Sequence, residues 1–155
     1  MTSATATPTG TVIRAANADD LDVIVTMAES FLRETPYGTQ IGTNPDRLRV
    51  FAWDLLQKDD ATIALAESDG AVVGMIALWC FVHPFSGERI AAELVWWVNP
   101  ETRGSAGVRL LKWAEAWAKD QGAVALQMVA PTDRVGDFYA RVGYERVEVS
   151  YQRRF

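Results

Sequence analysis

The stretch I-A-A-E-L-V-W-W-V-N-P-E-T-R-G-S-A-G-V-R-L-L, residues 90–111, decides how the rest of the chain reads. Ile90 to Val98 is an apolar run of strand length, ended by Asn99-Pro100. A turn with two glycines follows, and a helix is predicted from about Ala106 to Gln121. Leu110, Leu111, Ala114, Trp117 and Ala118 form its apolar stripe, and Gly122 suits its C-terminal end. Glu115 and Lys119 are spaced to pair across one turn. A strand running through such a turn into a helix aims backbone N–H groups at one point, where a phosphate can be held. Two glycines in a strand–helix turn also serve purely steric ends, so R-G-S-A-G alone leaves both readings open. The stretch fits neither the Walker loop nor the dinucleotide fingerprint.

Outward from this unit, the chain reads as one mixed α/β domain from Thr11 to Phe155, with residues 1–10 an unstructured leader. Thr11–Ala15 is a short strand. A helix then starts behind Asn17, with Leu21, Ile24, Val25, Ala28, Phe31 and Leu32 on its buried face. Thr35–Thr43 has the Pro and Gly content of a loop, and Asn44-Pro45 opens a second helix to about Gln57. Asp60–Glu67 and Ala71–Val82 are strands around a Ser68-Asp69-Gly70 turn. After His83–Gly87 comes the strand at residues 90–98. Beyond the long helix, Ala123–Val129 is a strand and Thr132 caps a short helix ending near Gly143. Tyr144–Phe155 is predicted to be extended, with Val147, Val149 and Tyr151 on one face. An exposed C-terminal strand of this kind would suit a homodimer.

Composition narrows the function classes. The chain has 155 residues, 49% hydrophobic and 23% charged, a balance that a disordered chain does not have. One Cys and one His exclude a disulfide scaffold and a metal site built mainly from those residues. The longest uncharged apolar run, Ala71–Val82, has 12 residues, short of the roughly 20 that cross a bilayer. The first eleven residues lack a basic start and an apolar stretch, so a cytoplasmic setting is expected. A net charge of −5 argues against nucleic acid as a partner. Residues 1–78 carry −6 and residues 79–155 carry +1, a division compatible with two kinds of ligand or with chance.

Four segments taken together resemble one family. V-N-P-E-T-R-G-S-A-G, residues 98–107, is similar to the acetyl-CoA-binding motif of the GCN5-related N-acetyltransferases (GNAT). I-R-A-A-N-A-D-D-L (13–21), G-A-V-V-G-M-I-A-L (70–78) and D-F-Y-A-R-V-G-Y (137–144) resemble that family's opening strand and helix, central hairpin and late helix. The loop departs from the family in having Ala106 where Gly is usual and Val108 where a small residue is usual. Thr132 also stands where many members have Asn. The resemblance implies a mostly antiparallel central sheet flanked by about four helices, with acetyl-CoA held where two strands splay apart and no metal. It implies transfer of the acetyl group to an amine by direct attack, with small-molecule acceptors preferred. A protein N-terminus or lysine as acceptor, or CoA binding without turnover, are the alternatives.

The resemblance also assigns residues. Trp96, Trp97 and Val98 would meet the pantetheine arm. Arg103, Gly104, Ser105, Ala106, Gly107 and Val108 would meet the pyrophosphate, with Arg109 and Lys112 adding charge. A protonated amine costs about 4–5 kcal/mol to deprotonate at pH 7, so a general base is useful. Glu93 interrupts an apolar strand; by itself it reads equally as a carboxylate paired with an arginine, and the family makes it the base. Tyr139 matches the residue that protonates the departing thiolate. Cys80 reads as a core thiol, and His83 as a turn residue rather than a second base. The resembling family walls the acceptor side with its first two helices and their loop, and the acidic front half here, with Glu34, Asp46 and Asp54, points either to a cationic acceptor oriented by Tyr37 and Gln40 or to carboxylates that only face solvent.

Overall fold

The computed structural model describes residues 10–102 and 104–155. Residues 1–9, which hold most of the expected leader, and Arg103 lie outside the described residues. A five-stranded sheet runs in the order β1 (Val12–Ala15), β2 (Ala61–Ser68), β3 (Ala71–Val82), β4 (Arg89–Val98), β5 (Ala125–Gln127). The first three pairings are antiparallel and β4–β5 is parallel. Among the described residues five α-helices accompany the sheet: α1 (Leu21–Glu34), α2 (Pro36–Gln40), α3 (Pro45–Leu56), α4 (Ser105–Asp120) and α5 (Asp133–Arg141). This is the mixed, mostly antiparallel sheet expected of the family, with four substantial helices and one short one. Among the described residues no helix is long and apolar enough to cross a membrane.

Two apolar layers sandwich the sheet. On one face Ile63, Leu65, Met75, Ala77 and Trp97 pack against Ile24, Ala28 and Phe31 of α1 and Ala52 and Leu55 of α3. On the other, Ala64, Ala66, Ile76 and Leu78 pack against Ala106, Leu110 and Ala114 of α4. Trp96 and Trp97 therefore face opposite layers, as strand alternation requires. A β-bulge breaks that alternation just before them. Leu78 pairs with Glu93 and Ala77 with Val95, which leaves Leu94 as the extra residue. Leu94 and Val95, though adjacent, both pack on the α1–α3 layer.

Local signals explain the element ends. Asn17 forms a capping box with Asp20 ahead of α1, through a short 3-10 turn. Asp69 and Gly70 both take positive φ, 51° and 79°, which closes the β2–β3 hairpin in the tight form favoured between twisted strands. Asn44 and Thr132 accept backbone N–H bonds at the starts of α3 and α5. Arg14 of β1 binds Asp20 and Glu67 and so ties the edge strand to both neighbours.

Four expectations are corrected. The predicted loop at 35–43 contains a helix: Pro36 occupies its first turn, and Gly38 lets it approach α1 closely. A Cβ on Gly38 would lie 2.2 Å from the Leu32 carbonyl oxygen. The strand at 123–129 is shorter, Ala125–Gln127. Residues 145–155 form no strand and are exposed throughout, because no sheet edge pairs with them. Glu115 does not pair with Lys119; its carboxylate accepts the Tyr144 hydroxyl at 2.9 Å.

Gly74 of β3 sits where a Cβ would lie 2.9 Å from the Trp97 carbonyl oxygen and 3.3 Å from Leu110. Gly74→Ala should therefore destabilise the fold by about 1–3 kcal/mol through overpacking, read as a lower urea midpoint.

Candidate active site

The parallel ladder between β4 and β5 covers only Ile90–Ala92 against Ala125–Gln127. At the next residue the ladder stops. Glu93 takes its place: its carboxylate Oε2 accepts the Val129 N–H at 3.0 Å. The Val129 carbonyl accepts the Tyr139 hydroxyl at 3.3 Å. The structure thus brings together the two catalytic candidates, from β4 and α5, through the two polar groups of one backbone residue.

Glu93 is 8% exposed. Burial pushes its carboxyl up to about 7, and the bond from Val129 opposes that rise. Tyr139 is also buried. Its ring stacks on Trp96 at 5.7 Å, with Phe138 and Tyr144 at 5.9 and 5.4 Å. Burial, and then the nearby charge of Glu93, hold its hydroxyl protonated well above the ordinary phenol range.

A cavity of about 70 Å³ opens beside Glu93, lined by Phe31, Tyr37, Leu94, Trp96, Val129, Pro131 and Val135. Its volume matches about two water molecules, enough for a small group but not for a whole cofactor. Phe31 and Tyr37 stack at 5.9 Å on its wall. Burial, then the charge of Glu93, raise the Tyr37 pKa as well.

The loop residues divide by depth. Gly104 caps α4 at φ 137°, where only glycine sits easily, and as a glycine it brings no capping side chain of its own. The first-turn N–H groups of such a helix are donors that an external anion can engage. Ser105 is exposed, Val108 is 38% exposed, and Ala106 and Gly107 are buried, so the last two offer backbone only. Val98 packs with Ala106 and Leu110 in the core. Trp97 is buried on the opposite face and donates its indole N–H to Asn99 at 3.2 Å. The Trp96 indole N–H is buried with no hydrogen-bond partner among the described residues. A sixteen-residue helix with glycine at its N-cap, a strand whose ladder stops short and an orphaned indole donor fit an extended phosphate-bearing ligand such as acetyl-CoA.

Other candidates are placed elsewhere. Arg109 donates to the Thr11 carbonyl at 2.8 Å, and Lys112 is exposed. Asp54 pairs with Lys58. Glu34, Gln40 and Asp46 are exposed and do not line the cavity. Cys80 is a buried thiol whose pKa burial raises. His83 accepts the Phe85 N–H at 3.3 Å within its turn.

The sequence profile of the acetyltransferase (GNAT) family matches residues 24–144. The chain belongs to that family. Solved GNAT-like structures share the fold of this GNAT domain at low identity. An aminoglycoside N-acetyltransferase in complex with CoA superposes with a TM-score of 0.79 at 14% identity, covering 98% of this chain and 99% of that one. A transcriptional regulator from Bacillus halodurans C-125 gives 0.75 at 21% identity, covering 94% and 100%. A ribosomal-protein-alanine N-acetyltransferase from Brucella melitensis biovar Abortus 2308 gives 0.70 at 20% identity, covering 94% and 99%. No curated protein matches by sequence.

Residue-level reading of this GNAT chain missed Val129, whose role is wholly main-chain and leaves no mark on residue type. It also missed Phe31 and Val135 as cavity walls, since helical spacing marks them only as apolar.

Burial of Glu93 has a thermodynamic consequence. Between pH 4.5 and about 7 the folded chain keeps a proton that the unfolded chain has released. Stability therefore falls as pH rises through that window, by about 3 kcal/mol in all. Glu93→Gln should abolish this component, so that its stability relative to wild type rises between about pH 4 and about pH 8 in urea titrations.

Proposed function

We propose that this GNAT acetyltransferase moves the acetyl group of acetyl-CoA to a small cationic amine, by direct attack within a ternary complex. The observation that carries the reading is the Glu93–Val129–Tyr139 arrangement at the end of the β4–β5 ladder. The first-turn N–H groups at residues 105–108 would hold the pyrophosphate, and the stretch Trp96–Val98 would meet the pantetheine amides. Bound acetyl-CoA would supply the thioester carbon to be attacked and the sulfur that leaves.

Glu93, with a pKa near 7, is matched to accept the ammonium proton of the acceptor at neutral pH. Tyr139 stands in a different position. A thiol has a pKa of about 8.5, so a phenol held well above its ordinary value does not surrender its proton to a thiolate at equilibrium. It serves better as a hydrogen-bond donor to the sulfur as charge develops, exchanging the long Val129 carbonyl bond for that contact. Solvent then completes protonation.

The lining of the cavity supports a cationic acceptor. Phe31, Tyr37 and Trp96 line the cavity together with one carboxylate, a setting that favours an ammonium through cation–π attraction and charge. The acidic front half of the chain adds a longer-range pull that salt would screen. A panel of cationic, neutral and anionic amines, scored by CoA release at low and high salt, tests this. Preference for anionic acceptors, or a cationic preference indifferent to salt, would overturn it.

Catalytic roles separate from binding in variants. kcat/KM should rise with pH through about 7, and Glu93→Gln should remove that inflection and lower turnover about 10²–10⁴-fold. Tyr139→Phe should lower kcat about 10²-fold with acetyl-CoA affinity little changed. Ser105→Glu places a carboxylate at the α4 N-terminus, where the helix dipole welcomes it and a pyrophosphate does not. Its thermal midpoint should hold or rise while calorimetry shows acetyl-CoA binding weakened about tenfold or more.

A further inference from the structure

The sheet lies between two helical layers, yet on the α1–α3 face of its central strand, β3, the cover stops part-way. Met75 and Ala77 lie in the packed layer, whereas Trp79, two residues on and on the same face, is 43% exposed. Its partner across the ladder to β2 is Ala61, which packs in the same layer as Ile63 and so fixes the side on which the indole lies. Phe81 follows on that side, half-buried, with its ring 6.2 Å from the Trp79 indole.

The neighbours on β4 tie this aromatic pair to the candidate site. Trp79 pairs with Ala92 and Phe81 with Ile90. Ala92 directly precedes Glu93, and two residues beyond it Leu94 both walls the cavity and packs on the α1–α3 layer. At about 3.4 Å per residue, Trp79 stands about 7 Å along the strands from that wall, and Phe81 about 14 Å. Arg89, which pairs with Val82, reaches Gln121 at the end of α4 and so lies on the opposite face. The strip leading away from the cavity wall is therefore apolar and aromatic. Exposed aromatic surface of this kind marks a contact site. The cavity itself, about 70 Å³, takes the reacting ammonium and little more, so the rest of an acceptor must lie outside it.

We propose that the acceptor is an amphipathic amine whose apolar body, an alkyl chain or an aryl group, lies across Trp79 and Phe81 while its ammonium stands at Glu93. This rests on the amine-acceptor reading above and deepens it: the carboxylate selects the charge, and the aromatic pair selects the body. Trp79 and Phe81 are then specificity-determining residues that take no part in the proton transfers.

Two arms separate the surface from the chemistry. Alkyltrimethylammonium ions carry the charge and the chain but no N–H, so they bind without being acetylated. From butyl to decyl, below micelle-forming concentrations, calorimetry should show the dissociation constant falling about twofold per methylene. The Trp79 indole N–H resonance, assigned by its loss in Trp79→Phe, should shift in the same titrations. Trp79→Thr and Phe81→Thr keep a strand-forming residue and should each flatten the gradient, with circular dichroism unchanged. With primary alkylamines, kcat/KM for CoA release should rise along the same series, and a diamine of equal length should be the poorer acceptor. Binding independent of chain length, a gradient that survives both substitutions, or a preference for the diamine would each overturn the proposal. A binding gradient that the substitutions flatten, with no primary amine acetylated, would support the surface and overturn the acetyl-transfer reading instead.

Discussion

The candidate site depends on where one ladder of hydrogen bonds stops. Three residue pairs join β4 to β5, and the next residue on β4 is Glu93, whose carboxylate occupies the Val129 amide. A side chain thus does what a strand neighbour would otherwise do, and the two segments part beyond it. The bulge at Leu94 lies immediately after, where it breaks the alternation of β4. Burial that follows from this position, rather than any charged neighbour, raises the Glu93 pKa toward neutrality.

The two layers around the sheet then complete the site from opposite directions. From one side, α1 and α2 supply Phe31 and Tyr37, and α2 can lie so close only because Gly38 has no side chain to strike the Leu32 carbonyl. From the other, α4 presents an N-terminus with glycine at its cap and α5 presents Tyr139 beneath Trp96. The cavity between them is lined mostly by apolar and aromatic residues, with Glu93 as its one carboxylate. In such surroundings a charge interacts more strongly than in water, and the same burial makes leaving Glu93 ionised costly.

With Glu93 in the proposed role of base, stability and activity pull against each other there. Replacing it with a neutral amide relieves the folded state at high pH and removes the group that can take a proton. Tyr139 shows the same tension in weaker form, since the burial that keeps its hydroxyl protonated also ties it to a main-chain carbonyl. The centre of the sheet, with Ala64, Leu65, Ala66, Ile76 and Leu78 fully enclosed, is apolar and carries no such conflict.

Much of this was legible in the sequence because the signals are local. Asn17, Asn44 and Thr132 mark helix starts, Asp69-Gly70 marks the hairpin, and the apolar spacing of 110–118 marks the buried face of α4. Each rests on contacts within a few residues, where residue type and conformation are directly linked. The opposite facings of Trp96 and Trp97 followed from strand alternation alone, whereas their partners did not. The helix at Pro36–Gln40 was hidden because its Pro and Gly carry the composition of a loop, while their use depends on α1 lying alongside. Val129 was hidden because a backbone amide and carbonyl are common to nearly every residue. Only the tertiary structure decided that these two groups would meet Glu93 and Tyr139, since that meeting depends on where a distant ladder ends. The alternating residues of the C-terminal segment specify a strand, but a strand exists only through hydrogen bonds to a neighbour, and pattern alone does not supply one.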